Sequence, residues 1–189
     1  MPPSQTEAAA GSSPFQRLLH YSHLFASVVH GSLEERCLRQ ATPLPLTIQQ
    51  VNLLRLIDHR GTHHVGDMAD LLGVSQPAAS KNVDKLVRLK LVNREVLETD
   101  RRSLSLSLTE EGRALIRRYE KAKEAKLQQA VGELSPADLE QLTTALAHVS
   151  YQILKGENTR GNCNRCNAYY TEACPMRALA IGCSYLKTR

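Results

Sequence analysis

The chain has 189 residues, of which 42% are hydrophobic and 23% charged, proportions typical of a globular protein. This length accommodates one core of ordinary size, or a compact domain with an appendage. No stretch approaches 18 consecutive apolar residues, which excludes a transmembrane helix. The N-terminal sequence MPPSQTEAAAGSSP lacks the basic and apolar regions of a signal peptide. We therefore expect a disordered leader over residues 1–13 and a cytoplasmic protein.

The positive charge is concentrated in the middle of the chain. The formal net charge is +5, with an isoelectric point near 9.0. Residues 75–118 contain ten Lys and Arg against six Asp and Glu. A moderate net charge alone is weak support for a polyanionic partner, but its concentration in one segment points to such a partner for that segment.

Four helices are predicted before the first strand. Apolar residues at helical spacing predict a first helix over residues 14–39, which the prolines of ATPLP end. Thr47 followed by Gln50 forms a capping-box pattern and begins the second helix, LTIQQVNLLRLI. The third helix, VGDMADLLG, is short and stops at Gly73. Ser75 then caps the fourth, QPAASKNVDKLVRLK, whose first turn tolerates Pro77.

A β-hairpin and two further helices complete the pattern. The strict alternation of SLSLSL, residues 103–108, predicts a half-buried strand that pairs with NREVLE across the turn TDRR. Thr109 begins a long helix, and Ser135 and Pro136 begin the last one. The last helix carries one apolar stripe: Leu139, Leu142, Leu146, Val149 and Ile153. The fold class is thus mainly α, a winged helix-turn-helix with a two- to three-stranded antiparallel wing, flanked by helices at both ends.

The helix-turn-helix with its basic hairpin suits DNA, because a helix fits the major groove and its N-terminal residues reach base edges. Arg101 and Arg102 at the wing tip can contact phosphates or enter the minor groove. The first turns of the fourth helix present the candidate base-contacting residues Ser75, Gln76, Pro77, Ser80 and Lys81.

The segment MADLLGVSQPAASKNVDKLVRLKLVNREVLETDRRSLSLSLTEEG resembles the multiple antibiotic resistance regulator (MarR) family of transcription factors. The resemblance covers roughly residues 14–155 and is most specific from the wing to LTEEG. It implies a homodimer built from N- and C-terminal helices that binds double-stranded DNA at a pseudo-palindromic operator. It also implies that Asp100 orients an arginine of the wing. On this basis residues 47–112 form the DNA-binding core, residues 14–40 and 109–155 the dimerisation helices, and residues 156–189 a tail that departs from the family pattern.

The tail carries four of the five cysteines: Cys163, Cys166, Cys174 and Cys183. In a reducing compartment such a cluster indicates a metal centre more than disulfides. Only the first pair has the C-x2-C spacing of a zinc knuckle, whereas iron–sulfur clusters accept more varied spacings and a proline after a ligand cysteine. The spacing therefore favours an iron–sulfur cluster, in the [4Fe–4S] form, over zinc. Disulfides and unliganded thiols remain alternatives.

Two further groups have competing interpretations. Cys37 in the first helix is either an oxidant sensor or, more commonly for a lone cysteine, a small core residue. His63 and His64 are either metal ligands or ordinary loop or short-strand residues, and the second is favoured.

The predicted function is a transcription regulator whose DNA affinity is modulated by the cluster in response to redox state, oxygen, nitric oxide or iron. The alternative is a repressor that binds an aromatic effector in the dimer cleft and carries a structural zinc in its tail. An enzyme is not expected, because neither a G-x-G-x-x-G nor a P-loop fingerprint is present.

Overall fold

The computed structural model describes residues 13–60, 62–63, 68–69, 73–96 and 104–155. Its helices are α1 (Pro14–Val28), α2 (Arg36–Ala41), α3 (Ile48–Arg60), α4 (Gln76–Arg88), α5 (Glu110–Val131) and α6 (Pro136–Lys155). Its strands are β1 (Thr62–His63), β2 (Val92–Val96) and β3 (Leu104–Leu108). In the described part of the chain, no helix is long and apolar enough to cross a membrane.

The N-terminal helical segment runs without a break from Pro14 to Ala41, but its hydrogen-bonding pattern changes along its length. Ser13 and Gln16 form a reciprocal capping box at its start. A π-helical stretch, Val29–Glu35, then joins α1 to α2, and the helix ends at the extended residue Thr42. The boundaries agree with the sequence prediction. The π-helical stretch was not predicted, since residue spacing does not distinguish an i→i+5 from an i→i+4 ladder.

Helix α3 begins at the predicted capping box. The Thr47 N–H donates to Gln50 Oε1 at 3.1 Å, and the Gln50 N–H donates to Thr47 Oγ1 at 3.3 Å. The helix supplies four fully buried apolar side chains to the main core: Leu53, Leu54, Leu56 and Ile57. The remaining core members come from the following helices and the sheet. This segment is therefore the centre of the domain.

The sheet has three antiparallel strands in the order β1-β3-β2. Val92 pairs with Leu108 and Val96 with Leu104, which confirms the predicted hairpin. Leu106 and Leu108 are buried while Ser107 is exposed, as the period-two pattern requires. His63 lies in the short strand β1 opposite Leu104.

Helix α5 starts in close contact with the end of α4. Thr109 caps it by accepting from the Gly112 N–H at 3.0 Å, and its hydroxyl donates to Lys90 O at 2.7 Å. A Cβ at Gly112 would lie 2.3 Å from the backbone oxygen of Leu91. Only glycine allows this approach, which explains the last residue of the LTEEG segment.

Candidate nucleic-acid interface

Helix α4 begins where the sequence predicted. Ser75 is extended, with φ −68° and ψ 152°, and its side chain accepts from the Ala78 N–H at 3.4 Å. Before it, Gly73 has a φ of 63°, and the Val74 N–H donates to Ala69 O at 3.0 Å. This pairing is typical of a helix that ends in a Schellman motif at a left-handed residue. Gly73 and Val74 therefore lead the chain directly into the N-cap of α4.

One face of α4 packs on the core and another faces outward. The buried face consists of Ala79, Val83 and Leu86. Ser75, Gln76, Pro77 and Lys81 are exposed, whereas Ser80 is half-buried. The outward face continues to Arg88, which follows Lys81 by two helical turns and was not singled out from the sequence. The i, i+7 spacing of Lys81 and Arg88 in the sequence could have indicated that Arg88 shares the outward face of α4.

The C-terminal end of α4 is closed by a second Schellman motif. The Lys90 N–H donates to Val87 O at 2.9 Å, and the Leu91 N–H donates to Leu86 O at 3.0 Å. Lys90 has a φ of 57°, a left-handed conformation that costs a side-chain-bearing residue more than glycine. This turn leads the chain directly into β2.

Polar side chains join α4 to its neighbours on both flanks. On one flank, Gln50 and the carbonyl of Pro45 contact Asn82 and Lys85 of α4. On the other flank, Arg94 of β2 donates to Asp84 Oδ1 at 2.9 Å, and both side chains are about half exposed. These contacts could not be predicted from residue patterns, because the partners are separated by ten to forty positions along the chain.

The predicted wing-tip residues Asp100, Arg101 and Arg102 lie outside the described residues. So do all four predicted metal ligands, Cys163, Cys166, Cys174 and Cys183. Within the described ranges, no group of three or more His, Cys, Asp or Glu could hold a metal ion.

Cys37 is fully buried beside Leu38, Val51 and Tyr119, a set that we call the joint cluster because it joins the N-terminal helix to α3 and α5. Its Sγ lies 3.6 Å from Ser32 O, to which the thiol donates. This packing agrees with the interpretation of Cys37 as a small core residue.

Two cations lie against the ring of Tyr119. Arg55 Cζ is 5.3 Å and Lys123 Nζ 4.8 Å from the ring centroid, and Glu120 pairs with both side chains. Burial, together with the nearby positive charge of Arg55, lowers the pKa of Lys123 from 10.5 to about 8. Both cations are thus constrained by the protein interior and are not part of the outward face of α4.

Comparison with known proteins identifies the same segment. Residues 44–103 match the model of the MarR family. The uncharacterised HTH-type transcriptional regulator YfiV of Bacillus subtilis (strain 168) is 29% identical over 107 residues, which cover 57% of this chain and 67% of that protein.

Solved structures share the fold. The crystal structure of RV1404 from Mycobacterium tuberculosis has a TM-score of 0.64 and 27% identity, covering 79% of this chain and 99% of its own. The crystal structure of Streptococcus pneumoniae FabT in complex with DNA has a TM-score of 0.57 and 20% identity. The match covers 75% of this chain and 97% of the FabT chain. The M. tuberculosis MarR family protein RV2887 in complex with salicylic acid has a TM-score of 0.51 and 23% identity. The match covers 75% of this chain and 99% of the RV2887 chain. The fold is that of MarR-type winged-helix proteins.

Proposed function

We propose that this chain, whose winged-helix segment matches the MarR family, is a homodimeric DNA-binding transcription regulator with a cysteine-ligated cluster in its tail. The observation that carries the DNA-binding part is the outward face of α4. Its capped N-terminus, its exposed hydrogen-bonding side chains and its two exposed cations stand on a well-packed core. The fold and the family are those of transcription regulators.

The chemistry of α4 fits the major groove. Gln76 has an amide that can bind adenine in bidentate fashion, and Ser75 can bond to any base or to a phosphate. Lys81 and Arg88 add positive charge on the same face, which supplies sequence-independent affinity for the backbone. In this arrangement the first turn reads sequence and the cations hold the helix on the DNA.

Dimerisation is supported by apolar faces that have no cover within the described chain. Phe15 of α1 is 82% exposed and Leu146 of α6 is 43% exposed, and each belongs to a longer apolar stripe. A homodimer that buries both stripes would place two copies of α4 about 34 Å apart, one turn of DNA. The operator would then be an inverted repeat.

The wing provides the first test of DNA binding. Arg101→Ala or Arg102→Ala is expected to weaken operator binding, since each removes a phosphate or minor-groove contact. The slope of log K against log salt should fall by about one unit for each phosphate contact removed. Binding would be measured by fluorescence anisotropy across a salt series. Wild-type affinity and slope in both variants would exclude a role of the wing.

The cluster part of the proposal is supported by the sequence of the tail. Four thiols lie within 21 residues, at the spacing C-x2-C-x7-C-x8-C, and Pro175 follows Cys174 directly. An iron–sulfur centre held by Cys163, Cys166, Cys174 and Cys183 would respond to oxygen, nitric oxide, iron supply or redox state. It would follow α6 in the chain, so its loss could change how the α6 helices associate. Such coupling requires two arrangements of the dimer that differ in DNA affinity.

Anaerobic purification followed by an absorption spectrum and by iron, sulfide and zinc determination tests the cluster directly. Operator binding is then compared between anaerobic holo-protein, air-treated protein and a Cys166→Ser variant, with the dimer checked in each. A tenfold difference corresponds to about 1.4 kcal/mol of coupling. Equal affinity in all three would leave the cluster a purely structural element and would exclude the sensor.

The second candidate is a repressor that responds to an aromatic effector, with a structural zinc in the tail. It is supported by the salicylic acid complex of a protein with the same fold. A colourless protein with stoichiometric zinc, whose operator affinity falls when salicylate is added, would establish this candidate. An iron–sulfur spectrum with no effect of salicylate would exclude it.

A further inference from the structure

Gln50 connects the start of α3 to the flank of α4. Its side chain is almost completely buried, and both ends of its amide are hydrogen-bonded. Oε1 accepts from the Thr47 N–H at 3.1 Å and from Lys85 Nζ at 3.2 Å. Nε2 donates to Asn82 Oδ1 at 3.0 Å. One side chain thus completes a helix cap and also binds two residues of α4.

Lys85 extends this network to the segment before α3. Its Nζ donates to the carbonyl of Pro45 at 2.5 Å. Pro45 lies between the end of α2 at Ala41 and the cap residue Thr47. The network therefore connects α4 to the link between the N-terminal helix and the domain core, over a separation of 40 positions in sequence.

These contacts are placed where they control the rotation of α4 about its axis. Asn82 and Lys85 are three positions apart and so lie on one flank of the helix. That flank lies between the buried face and the outward face with Pro77, Lys81 and Arg88. Side-chain tips lie about 5 Å from a helix axis, so a rotation of about 10° would move them by roughly 1 Å. A shift of this size breaks hydrogen bonds to base edges, whose distances span only a few tenths of an ångström.

Hydrogen bonds constrain this angle in addition to apolar packing. Ala79, Val83 and Leu86 hold α4 on the core through burial, which has no directional preference. Hydrogen bonds from a buried amide are directional, and leaving such an amide unsatisfied is costly. The Gln50 network therefore adds a directional constraint to the packing of α4, from a buried side chain, whereas the Arg94–Asp84 pair between β2 and α4 is exposed.

We propose that Gln50 is a positioning residue that sets the rotation of α4 through Asn82 and Lys85, and thereby determines how well the protein discriminates one DNA sequence from another. This inference rests on the proposed DNA-binding function. It adds to that function a residue that touches no DNA but governs sequence discrimination.

The test compares Gln50→Met with the matched control Gln49→Met, one position away and exposed. Two duplex probes are used: one enriched by the wild-type protein from a random-sequence library, and a scrambled duplex of the same composition. The readout is the ratio of the two affinities, together with the free energy of unfolding in urea. Gln50→Met is expected to lower this ratio about tenfold with little change on the scrambled duplex, whereas Gln49→Met leaves the ratio unchanged.

A conservative variant separates positioning from folding. Gln50→Glu keeps oxygens that accept from Thr47 and Lys85, and the Asn82 amide can turn to donate to the carboxylate. It is expected to keep most of the wild-type ratio. If Gln50→Met does not fold, Asn82→Ala removes the same contact from the α4 side and is expected to lower the ratio as well.

An unchanged ratio in folded Gln50→Met, or an equal loss on both duplexes, would overturn the positioning role. So would a ratio in Gln50→Glu as low as that in Gln50→Met. If the wild-type protein enriches no sequence from the library, the proposed DNA-binding function fails instead, and the two failures are distinguishable.

Discussion

The core around α3 and the two outer helices, α1 and α6, contain the same types of apolar residue but differ in how far these residues are buried. In the core, large side chains such as Leu53 and Leu86 are completely buried by neighbours from the same chain. On the outer helices, every large apolar residue of the exposed stripes keeps between 38% and 82% of its surface accessible. Burial of apolar surface is the main favourable term in folding and in association. Within the described residues, the core is closed by neighbours from one chain, whereas the outer helices leave their apolar stripes exposed.

The joint cluster marks the boundary between these two regions. Cys37, Leu38, Val51 and Tyr119 attach the N-terminal helix to the core at α2, and α1 lies beyond this attachment with no buried residue. Substitutions in the core should therefore change the stability of the chain. Substitutions on α1 or α6 should change association instead.

The largest expected effect is in the core, at Gly112. In Gly112→Ala the new Cβ would lie 2.3 Å from the Leu91 carbonyl oxygen, a backbone atom that cannot move aside cheaply. We expect a loss of about 3 kcal/mol in the free energy of unfolding, measured in urea. Gly31→Ala is the control, because nothing lies within 4 Å of its Cβ position. A Gly112→Ala variant as stable as the control would show that the core is not closed here as the structure describes.

On the outer helices, Leu146→Glu places a charge in the apolar stripe of α6. We expect the dimer dissociation constant to rise at least about a hundredfold, because a buried unpaired carboxylate costs several kcal/mol. Sedimentation velocity measures the change, and circular dichroism should show the core still folded. Thr144→Glu, on the opposite side of α6, is the matched control and should leave association unchanged. A wild-type protein that is monomeric at micromolar concentration would show that the α6 stripe is not a dimer interface.

At the boundary, Lys123 makes stability depend on pH. The pKa of Lys123 is about 8 in the folded chain and 10.5 in the unfolded chain, so the unfolded state binds more protons between these values. Stability should therefore rise with pH from about 8 to 10.5. The full shift corresponds to about 3.4 kcal/mol, and because solvent screens the partly exposed ammonium group we expect a total rise of roughly 2 kcal/mol. Lys123→Met should lack this rise. Urea unfolding of both proteins at pH 7, 8, 9 and 10 gives the difference, and parallel curves would show that burial does not shift this pKa.

The smallest effect is expected at the end of α4. Lys90→Gly relieves a left-handed conformation with φ 57° and should stabilise the chain by about 0.5–1 kcal/mol. Lys121→Gly, at an exposed position inside α5, should instead destabilise by about 1 kcal/mol. Thermal unfolding of the two variants should therefore shift in opposite directions. Equal destabilisation in both would mean that Lys90 carries no strain.

Local residue patterns were sufficient to predict most elements. The capping box at Thr47 and the cap at Ser75 each specify a helix start through hydrogen bonds between residues three positions apart, and the alternation of SLSLSL specifies a strand with one buried face. The chain therefore carries the positions of helices and strands in short-range chemistry. The predicted contact residues at the start of α4 follow from the same signals, and all but Ser80 are exposed as expected. The assignments at Arg101, Arg102 and the four tail cysteines stay predictions.

Long-range contacts, in contrast, were decided only by the tertiary structure. Gln50 bonds to Asn82 and Lys85 as well as to its own helix cap. The ring of Tyr119 lies close to both Arg55 and Lys123. Both arrangements depend on which helices pack together. The π-helical stretch and the left-handed Lys90 were also absent from the sequence prediction. Sequence spacing reports which side chains share a face of one element. It does not report which face of another element they meet, because that choice depends on the packing of the whole core.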